Sequence, residues 1–277
     1  MKNTEKGHVV LVTGGSSGIG AATVKLLSEA GFTVYAASRS GRLPEGCQAG
    51  PTLLPLVMDV NDEAAVRSGV ERIVSEQGRI DAVVCNAGNG IAGPVEETSV
   101  AEMHAQFETT FFGVARTIRA CAPFFRAQGS GRVITVSSVA AVAPLPFQAF
   151  YSAAKAGILQ LTKALSIEMR TFGVQCCCIL PGDVKTGFTA ARRIAAAAQD
   201  PASPYREMTV RSLAQMEKDE QREGMAPPVI ASAVLRQLRR KKMRPECVPG
   251  ALYAFLVPVI RLLPERLVLR VIGKMYL

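Results

Sequence analysis

The strongest structural signal in the sequence is the stretch His8-Val9-Val10-Leu11-Val12-Thr13-Gly14-Gly15-Ser16-Ser17-Gly18-Ile19-Gly20. Its first six residues are mostly apolar and β-branched, which predicts a buried strand. The glycines predict a tight turn that lets a bound group approach the backbone, and a helical pattern follows from Ala21 to Ala30. Because free N–H groups and the dipole favour a phosphate at a helix start, the stretch predicts a dinucleotide site.

Strand-like and helical patterns alternate along the rest of the chain. Five more strands are predicted at Phe32–Ala37, Leu53–Met58, Asp81–Cys85, Gly131–Ser137 and Val174–Leu180, with a possible edge strand at Cys247–Pro249. Helices are predicted at Glu63–Glu76, Ser99–Arg126, Phe150–Phe172 and Ala226–Arg240. This alternation predicts an α/β fold, a Rossmann-type doubly wound parallel sheet flanked by helices.

The composition is that of an ordinary globular protein with one sizeable core. The chain has 277 residues, of which 48% are hydrophobic and 20% are charged. We expect one domain over residues 1–250 and an apolar and basic helical extension over residues 251–277. The stretch Met1–Gly7 is polar and has no signal-peptide core, which predicts a cytoplasmic protein.

The net charge of +9 indicates an anionic partner, such as a phosphate-bearing cofactor or a membrane surface. The sequence contains no nucleic-acid-binding module, so we expect no nucleic-acid partner. Among the seven cysteines, Cys176, Cys177 and Cys178 are adjacent in a predicted strand. Neighbouring strand residues point to opposite faces, so we expect small buried hydrophobes and no metal site.

The end of the second predicted strand carries Ser38-Arg39 and no acidic residue. An Asp or Glu at this position would bind the ribose 2′-hydroxyl of NAD, whereas Arg offers a planar fork for a 2′-phosphate. Ser16 and Arg42 are candidates to assist. The sequence therefore predicts NADP(H) in preference to NAD(H).

Tyr151 and Lys155 lie four residues apart in a predicted helix and so share one face. A phenol has an unperturbed pKa of about 10, and a neighbouring ammonium stabilises the phenolate. We therefore expect Lys155 to lower the pKa of Tyr151 and make it a general acid and base.

Together these motifs resemble the short-chain dehydrogenase/reductase family from about Val9 to Thr186. The Gly-x-x-x-Gly-x-Gly spacing, Asn86-Ala87-Gly88, Pro181-Gly182 and Tyr-x-x-x-Lys all match its pattern. Ser138 stands thirteen residues before Tyr151, which is the family's usual offset for the catalytic serine. The segments Cys85–Pro94 and Leu145–Tyr151 look like the 17β-hydroxysteroid and retinol dehydrogenase branch.

The resemblance implies a catalytic set of Ser138, Tyr151 and Lys155, with Thr110 as a fourth member. In the family an Asn stands at the position of Thr110, bends the helix and holds a water through its carbonyl, so Thr110 is a departure. The implied cofactor-binding residues are Gly14, Ser16, Ser17, Gly18, Ile19, Gly20, Ser38, Arg39, Asp59, Val60, Asn86, Ala87, Gly88, Tyr151, Lys155, Pro181, Gly182, Val184 and Thr186. Asp59 is also a candidate cap for the next helix.

The implied activity is an NADP(H)-dependent interconversion of a ketone and a secondary alcohol on a small but bulky apolar substrate. Two alternatives stay open: a reductase of 3-oxoacyl thioesters and a non-catalytic NADPH-binding sensor. Residues of about 187–223 are expected to form a mobile lid over the substrate. The resemblance also implies a homodimer or homotetramer.

The tail Leu252–Leu277 is rich in Leu, Val and Ile but is interrupted by Pro and Arg. No run in it reaches the roughly 20 apolar residues that a bilayer requires. Three roles stay open: packing on the domain or on a second subunit, weak peripheral contact with an anionic membrane, and closure of the substrate pocket.

Overall fold

Nine strands form two parallel sheets in the computed structural model, which describes residues 7–277. In chain order the strands are β1 (Val9–Thr13), β2 (Thr33–Ser38), β3 (Leu53–Val57), β4 (Ala82–Cys85), β5 (Ile91–Ala92), β6 (Gly131–Val136), β7 (Val174–Ile179), β8 (Arg193–Ile194) and β9 (Glu246–Cys247). Seven of them make the main sheet in the order β3-β2-β1-β4-β6-β7-β9. The strand order reverses between β1 and β4, and a crevice for ligands lies at the carboxyl ends of strands at such a point.

The helices described in residues 7–277 flank both faces of the main sheet. They are α1 (Gly18–Glu29), α2 (Glu63–Gln77), α3 (Val100–Phe107), α4 (Gly113–Gln128), α5 (Ala149–Glu168), α6 (Arg206–Glu223), α7 (Pro227–Arg239), α8 (Ala251–Leu262) and α9 (Glu265–Tyr276). Residues of α1 and α7 pack in the core on one face, and residues of α2, α4 and α5 pack in the core on the other. The predicted Rossmann-type fold is confirmed.

The continuous apolar run of β1 follows from its position between these two helical layers. Val9 and Leu11 belong to the core on the α2–α4–α5 face, while Val10 and Val12 belong to the core on the α1–α7 face. All four side chains are at most 2% exposed. A parallel strand covered on both faces has no polar side, so its residues do not alternate.

Three element boundaries differ from the predicted ones for identifiable reasons. Helix α1 begins at Gly18 rather than Ala21, because the last part of the glycine-rich turn is already helical. Asp62, and not Asp59, caps α2 by accepting hydrogen bonds from Ala64 and Ala65. The last strand is Glu246–Cys247 and pairs with β7. It therefore begins and ends earlier than the predicted edge strand Cys247–Pro249.

The long helix predicted at Ser99–Arg126 is interrupted by one π-helical turn at Glu108–Phe112. Ser99 starts the helix with a capping box in which its side chain and that of Glu102 bond each other's backbone N–H. A π turn inserts one extra residue into a helix and is common at functional sites. This turn contains Thr110, whose side chain is buried.

Residues 187–223, predicted as a lid, contain β8 and α6. Strand β8 pairs with β5 in the small second sheet, so the segment is joined to the region just after the Asn86–Gly88 turn. Leu213 and Met216 of α6 are buried with Ala92 of β5. The mobility of this segment stays a prediction.

The tail packs on the domain through a few specific contacts. Arg261 of α8 donates two hydrogen bonds, of 2.7 and 2.9 Å, to the Glu246 carboxylate at the edge strand. Tyr276 of α9 packs against the buried cluster of Leu213 and Met216. Of the three roles kept open for the tail, packing on its own domain is present, and the division at residue 250 stays a prediction.

In the part of the chain from residue 7 onward, the helices are too short or too polar to cross a bilayer. The three adjacent cysteines, Cys176, Cys177 and Cys178, are buried in β7, as their apolar setting predicts. Burial raises the pKa of each of these thiols, so they stay protonated at neutral pH.

Candidate active site

The glycine-rich turn after β1 is shaped by close backbone contacts. Gly14 and Gly18 have φ angles of +65° and +53°, which favour glycine. A Cβ atom on Gly20 would lie 2.0 Å from the carbonyl oxygen of Gly14 and 2.6 Å from Nδ2 of Asn86. Gly20 therefore lets the start of α1 pack directly on its own turn.

The first turn of α1 is free to bind an anion. Ser17 precedes the helix in an extended conformation and makes no side-chain cap. Ser16 is half-buried beside it, and Ile19 anchors the helix by packing against the core. The uncapped N–H groups and the two left-handed glycines form a cradle of the kind that holds a pyrophosphate.

The turn Asn86-Ala87-Gly88 after β4 is tied to the end of β1. The Thr13 hydroxyl accepts hydrogen bonds from the backbone N–H groups of Asn86 and Ala87, at 3.0 and 3.1 Å. The Asn86 amide in turn donates to the carbonyls of Thr13 and Gly14. These bonds hold the ends of β1 and β4 together at the switch point of the sheet.

Residues after β2 and β3 form one side of the crevice. Asp59 accepts a hydrogen bond from the backbone of Asn61, and Val60 packs under Gly113. The Ser38 hydroxyl is buried and has no hydrogen-bond partner in the described residues. Arg39 is exposed and makes no hydrogen bond or ion pair there. An orphaned hydroxyl beside an unpaired guanidinium fits a phosphate-bearing ribose.

Ser138 and Tyr151 come together across the end of β6. The Ser138 hydroxyl lies close enough to Tyr151 to counter the rise in the pKa of the phenol. The Ser138 hydroxyl also accepts a 3.1 Å hydrogen bond from the backbone of Ala140. The neighbouring Ser137 is buried and donates to the carbonyl of Lys155 at 2.7 Å, so its hydroxyl is already used within the fold.

Tyr151 sits in a protected position under the segment 187–223. Its ring lies 5.7 Å from the ring of Phe188. Burial raises the pKa of Tyr151 to about 12, and the negative charge of Asp183 adds to the rise. The phenol is therefore protonated at neutral pH.

Lys155 is buried and donates a 2.9 Å hydrogen bond to the carbonyl of Val136. Its Nζ atom lies 5.6 Å from the centre of the Tyr151 ring. Burial lowers the pKa of Lys155 to about 8. The expected lowering of the Tyr151 pKa by Lys155 is wrong for this structure, because burial dominates and the ammonium is directed at the strand end.

Thr110 belongs to a small polar network next to Lys155. Its hydroxyl donates to the Asn89 side chain at 2.9 Å and accepts from the Gln106 amide at 2.9 Å. A Cβ atom on Gly88 would lie 3.8 Å from Nζ of Lys155 and 3.9 Å from Oγ1 of Thr110. Thr110 thus braces the turn against which Lys155 packs, and it makes no contact with Tyr151 that the structure records.

The turn Pro181–Thr186 after β7 closes the other side of the crevice. The carbonyl of Pro181 accepts a 2.8 Å hydrogen bond from Val139, next to Ser138. Val184 is buried and bridges to Met225. Thr186 reaches both ways: a Cβ atom on Gly18 would lie 3.5 Å from its Cβ, and its backbone N–H donates to Glu220 of α6 at 3.4 Å.

Two residues near the site, Tyr253 and Asp183, were not predicted as site residues from the sequence. The ring of Tyr253 in α8 lies directly over Gly182, where an added Cβ would be 2.2 Å from it. The Tyr253 hydroxyl donates a 2.6 Å hydrogen bond to Oδ2 of Asp183. The residues are 70 apart in the chain, and only the apolar character of the tail indicated that it packs at all.

An open, largely apolar groove of about 470 Å³ lies on the surface between the residues that follow β5, the start of α5 and the tail. Phe147 forms part of it and has a strained φ of +56°. Leu277 of the tail lies on the same groove. The other lining residues are Pro94, Val95, Glu96, Pro146 and Tyr205.

Comparisons with known proteins agree with this geometry. The family model described as short chain dehydrogenase matches residues 8–197. A 3-ketodihydrosphingosine reductase of Bacteroides thetaiotaomicron is 38% identical over 234 residues, which cover 84% of each chain. The 17-beta-hydroxysteroid dehydrogenase type 1 of Homo sapiens is 37% identical over 191 residues, which cover 65% of this chain and 58% of the relative.

Two solved structures share the fold. A short chain dehydrogenase/reductase of Burkholderia phymatum in complex with NAD has a TM-score of 0.78 at 22% identity, covering 96% of both chains. A short chain dehydrogenase of Burkholderia cenocepacia in complex with NADP has a TM-score of 0.74 at 25% identity, covering 98% of both chains. The fold therefore accompanies either dinucleotide.

Proposed function

This chain belongs to the short-chain dehydrogenase family, and we propose that it is an NADP(H)-dependent oxidoreductase that interconverts a bulky apolar ketone and its secondary alcohol. The family and the oxidoreductase class are established by the match over residues 8–197. The observation that carries the proposal is the meeting of Ser138, Tyr151 and Lys155 at one end of the sheet, beside the glycine-rich cradle.

The preference for NADP(H) rests on Ser38 and Arg39. Among residues 7–277, Arg39 at the end of β2 has no ion-pair partner and the buried Ser38 hydroxyl beside it has no hydrogen-bond partner. The α1 start, the Asn86–Gly88 turn and Thr186 would hold the remaining parts of the dinucleotide. When bound, the dinucleotide supplies the hydride for reduction or accepts it in oxidation.

The protein's own residues handle the proton. Tyr151 is protonated at neutral pH and donates its proton to the substrate's carbonyl oxygen, while the Ser138 hydroxyl donates a hydrogen bond to the same oxygen. Lys155 holds the strand end through the carbonyl of Val136 and lies close to the Gly88 turn. A site with a protonated acid suits ketone reduction better than alcohol oxidation.

A long-chain 3-ketolipid is the substrate that we place first. The relative named 3-ketodihydrosphingosine reductase is similar over 84% of this chain. Its named substrate is a ketone on a long alkyl chain with a primary amine on the adjacent carbon. The apolar groove beside Phe147 and Leu277 suits such a chain, and a hydroxysteroid ranks second because the match to that relative covers 65% of this chain.

The proposed activity is tested by following NADPH oxidation by the full chain with a panel of ketones. The panel contains 3-ketodihydrosphingosine, a 17-ketosteroid and a 3-oxoacyl thioester, and the Tyr151→Phe variant is the control. We expect the long-chain ketone to give the highest kcat/KM. Turnover of the thioester alone would favour the alternative reductase, and NADPH binding without any turnover would favour a sensor.

The location proposed for the protein is the cytoplasm, with weak contact to anionic membranes through α8 and α9. Phe255 and Leu262 of α8 are 68% and 86% exposed. In α9 the exposed residues Leu267, Val271 and Met275 follow one another at helical spacing, next to a stripe of Arg266, Arg270 and Lys274. An apolar stripe beside a basic one suits an anionic bilayer, from which an apolar substrate would arrive.

A homodimer or homotetramer remains our proposal for the assembly. Ile167 and Phe172 near the end of α5 are 72% and 40% exposed and would be covered by a second subunit. Sedimentation at several concentrations checks the mass of the species in solution.

A further inference from the structure

Asp183 is a partly buried carboxylate on the turn attached to the Ser138 strand end. It follows Pro181 and Gly182 at the end of β7, and its backbone carbonyl accepts a 2.8 Å hydrogen bond from Met225. Its Oδ2 atom accepts one hydrogen bond, from Tyr253. Within residues 7–277 no Lys, Arg or His lies at ion-pair distance from it.

The turn that carries Asp183 is held against the strand end that carries Ser138. Ser137 and Val139 donate 2.8 Å hydrogen bonds to the carbonyls of Ile179 and Pro181, so the Asp183 turn is attached to the Ser138 strand end. The charge of Asp183 acts on both Tyr151 and Tyr276 and raises the pKa of each. Asp183 therefore lies on a turn that joins the Ser138 strand end to Tyr253 of the tail.

The surroundings of Asp183 increase the cost of its charge. Burial raises the pKa of the carboxyl, the hydrogen bond from Tyr253 counteracts that rise, and the carboxylates Asp219 and Glu223 raise it further. A carboxylate withdrawn from water without a cation is unfavourable, and a buried charge is normally paired. The negative charge of Asp183 also disfavours the tyrosinate that the proposed reaction must form. Both penalties are removed when a cation binds beside it.

We propose that Asp183 binds the ammonium of a substrate that carries an amine next to its ketone, and that it selects such amino ketones over neutral ketones of the same length. This inference rests on the proposed function. The ammonium would pair with the free side of the Asp183 carboxylate while Ser138 and Tyr151 engage the adjacent carbonyl. Tyr253 orients the carboxylate from the other side, so the tail takes part in substrate selection.

The test compares two substrates in each variant. The first is 3-ketodihydrosphingosine, and the second is its analogue with hydrogen in place of the amine. We expect the wild-type protein to prefer the amine by at least about tenfold in kcat/KM. In Asp183→Asn, which keeps an acceptor for Tyr253, the ratio of the two kcat/KM values should fall by about 10- to 100-fold, the worth of one charge-assisted hydrogen bond. Most of the change should be in KM.

Asp219→Asn is the matched control. It removes a neighbouring carboxylate of α6 that raises the Asp183 pKa, and it leaves the Asp183 carboxylate and its hydrogen bond from Tyr253 in place. Its ratio should stay within about twofold of the wild-type value. An unchanged ratio in folded Asp183→Asn overturns the inference, and so does a wild-type protein without preference for the amine. The wild-type comparison decides the matter even if the variant does not fold.

The outcomes separate this inference from the proposed function. If the wild-type protein reduces the neutral ketone with NADPH as well as the amino ketone, the oxidoreductase proposal stands and the role of Asp183 falls. If it reduces neither ketone, the long-chain ketone proposal falls and takes this inference with it.

Discussion

The ammonium of Lys155 donates its hydrogen bond to the carbonyl of Val136, at 2.9 Å, and not to the Tyr151 hydroxyl. Lys155 is 5% exposed, so it holds a positive charge at the buried end of a strand. This pairing makes Lys155 a link between the catalytic helix α5 and the sheet. Burial is therefore the main cause of the raised Tyr151 pKa.

Tyr151→Phe should abolish ketone reduction and leave cofactor binding intact. Only the proton donor is removed, since the ring and its contact with Phe188 are kept. We expect a loss of about 100-fold or more in kcat, in the range that general acid catalysis supplies. NADPH binding, followed by fluorescence, should change by less than about twofold. Retained turnover would mean that another group donates the proton.

Lys155→Met should change how stability depends on pH. The folded pKa of Lys155 is lowered from 10.5 to about 8, so above pH 8 the unfolded chain binds more protons and the wild-type protein gains stability up to about pH 10.5. The variant lacks this gain, which amounts to about 3 kcal/mol from the pKa difference. Urea unfolding of both proteins at several pH values measures it. If the free energies of unfolding of the two proteins differ by the same amount at every pH, folding does not lower the pKa of Lys155.

Arg39→Ala should weaken NADPH binding by about 10- to 100-fold, because a charge-assisted contact to the 2′-phosphate is lost. NADH lacks that phosphate and should bind within about twofold of wild type. Arg170→Ala is the control, since Arg170 is an exposed cation that precedes β7 and so lies at the amino end of the sheet. Equal losses for both dinucleotides would rule out the assignment.

Thr110→Val should lower the free energy of unfolding by about 1–3 kcal/mol, because the buried Gln106 side chain and the half-buried Asn89 side chain each lose a partner. Turnover should fall with it, since the network braces the Gly88 turn beside Lys155. Thr110→Ser keeps the hydroxyl and should be nearly neutral. Thr110→Asn restores the family's residue, and we expect its activity to hold or rise. Complete loss in Thr110→Asn would assign Thr110 a role of its own.

Phe255→Glu and Leu262→Glu should weaken binding to anionic vesicles at low salt, because each places a charge on the exposed apolar face of α8. High salt should weaken the wild-type binding as well. Ile167→Glu alters an equally exposed apolar residue on α5 and should have no effect on vesicle binding. Cosedimentation with phosphatidylserine vesicles checks this, and a wild-type protein that ignores them ends the membrane proposal.

Truncation after Pro249 would be a poorer test of membrane binding than these substitutions. It also removes Tyr253 from Asp183 and Arg261 from Glu246. Those contacts join the tail to the catalytic turn and to the edge strand, so loss of vesicle binding in the truncated protein would not separate the membrane from the fold.

Local spacing made the fold and the core of the site predictable. Gly14 and Gly20 stand in one turn, and Tyr151 and Lys155 stand on one helix, so their geometry is set within a few residues. The same holds for Ser38 and Arg39 at the end of β2. The burial of Tyr151 was not predictable from spacing. It raises the pKa of the phenol, which was expected to be lowered by Lys155.

Contacts between distant segments lay outside what the sequence could indicate. The bond between Tyr253 and Asp183 spans 70 residues and depends on how α8 packs over Gly182. The π turn around Thr110 follows from packing against Asn89 and Gln106, and no periodicity of the predicted helix marks it. Asp59 was the cap predicted for the helix after β3, and the path of the chain there gives that role to Asp62.

Thr186 lies next to the glycine-rich turn at Gly18, and its backbone N–H donates to Glu220 of α6, so one short turn connects the proposed cofactor cradle to that helix. A dinucleotide seated at the cradle would lie against the residue that positions α6. We therefore expect a compulsory order of binding, in which the nucleotide enters first and leaves last. Product inhibition by the oxidised nucleotide should then be competitive with the reduced one and non-competitive with the ketone.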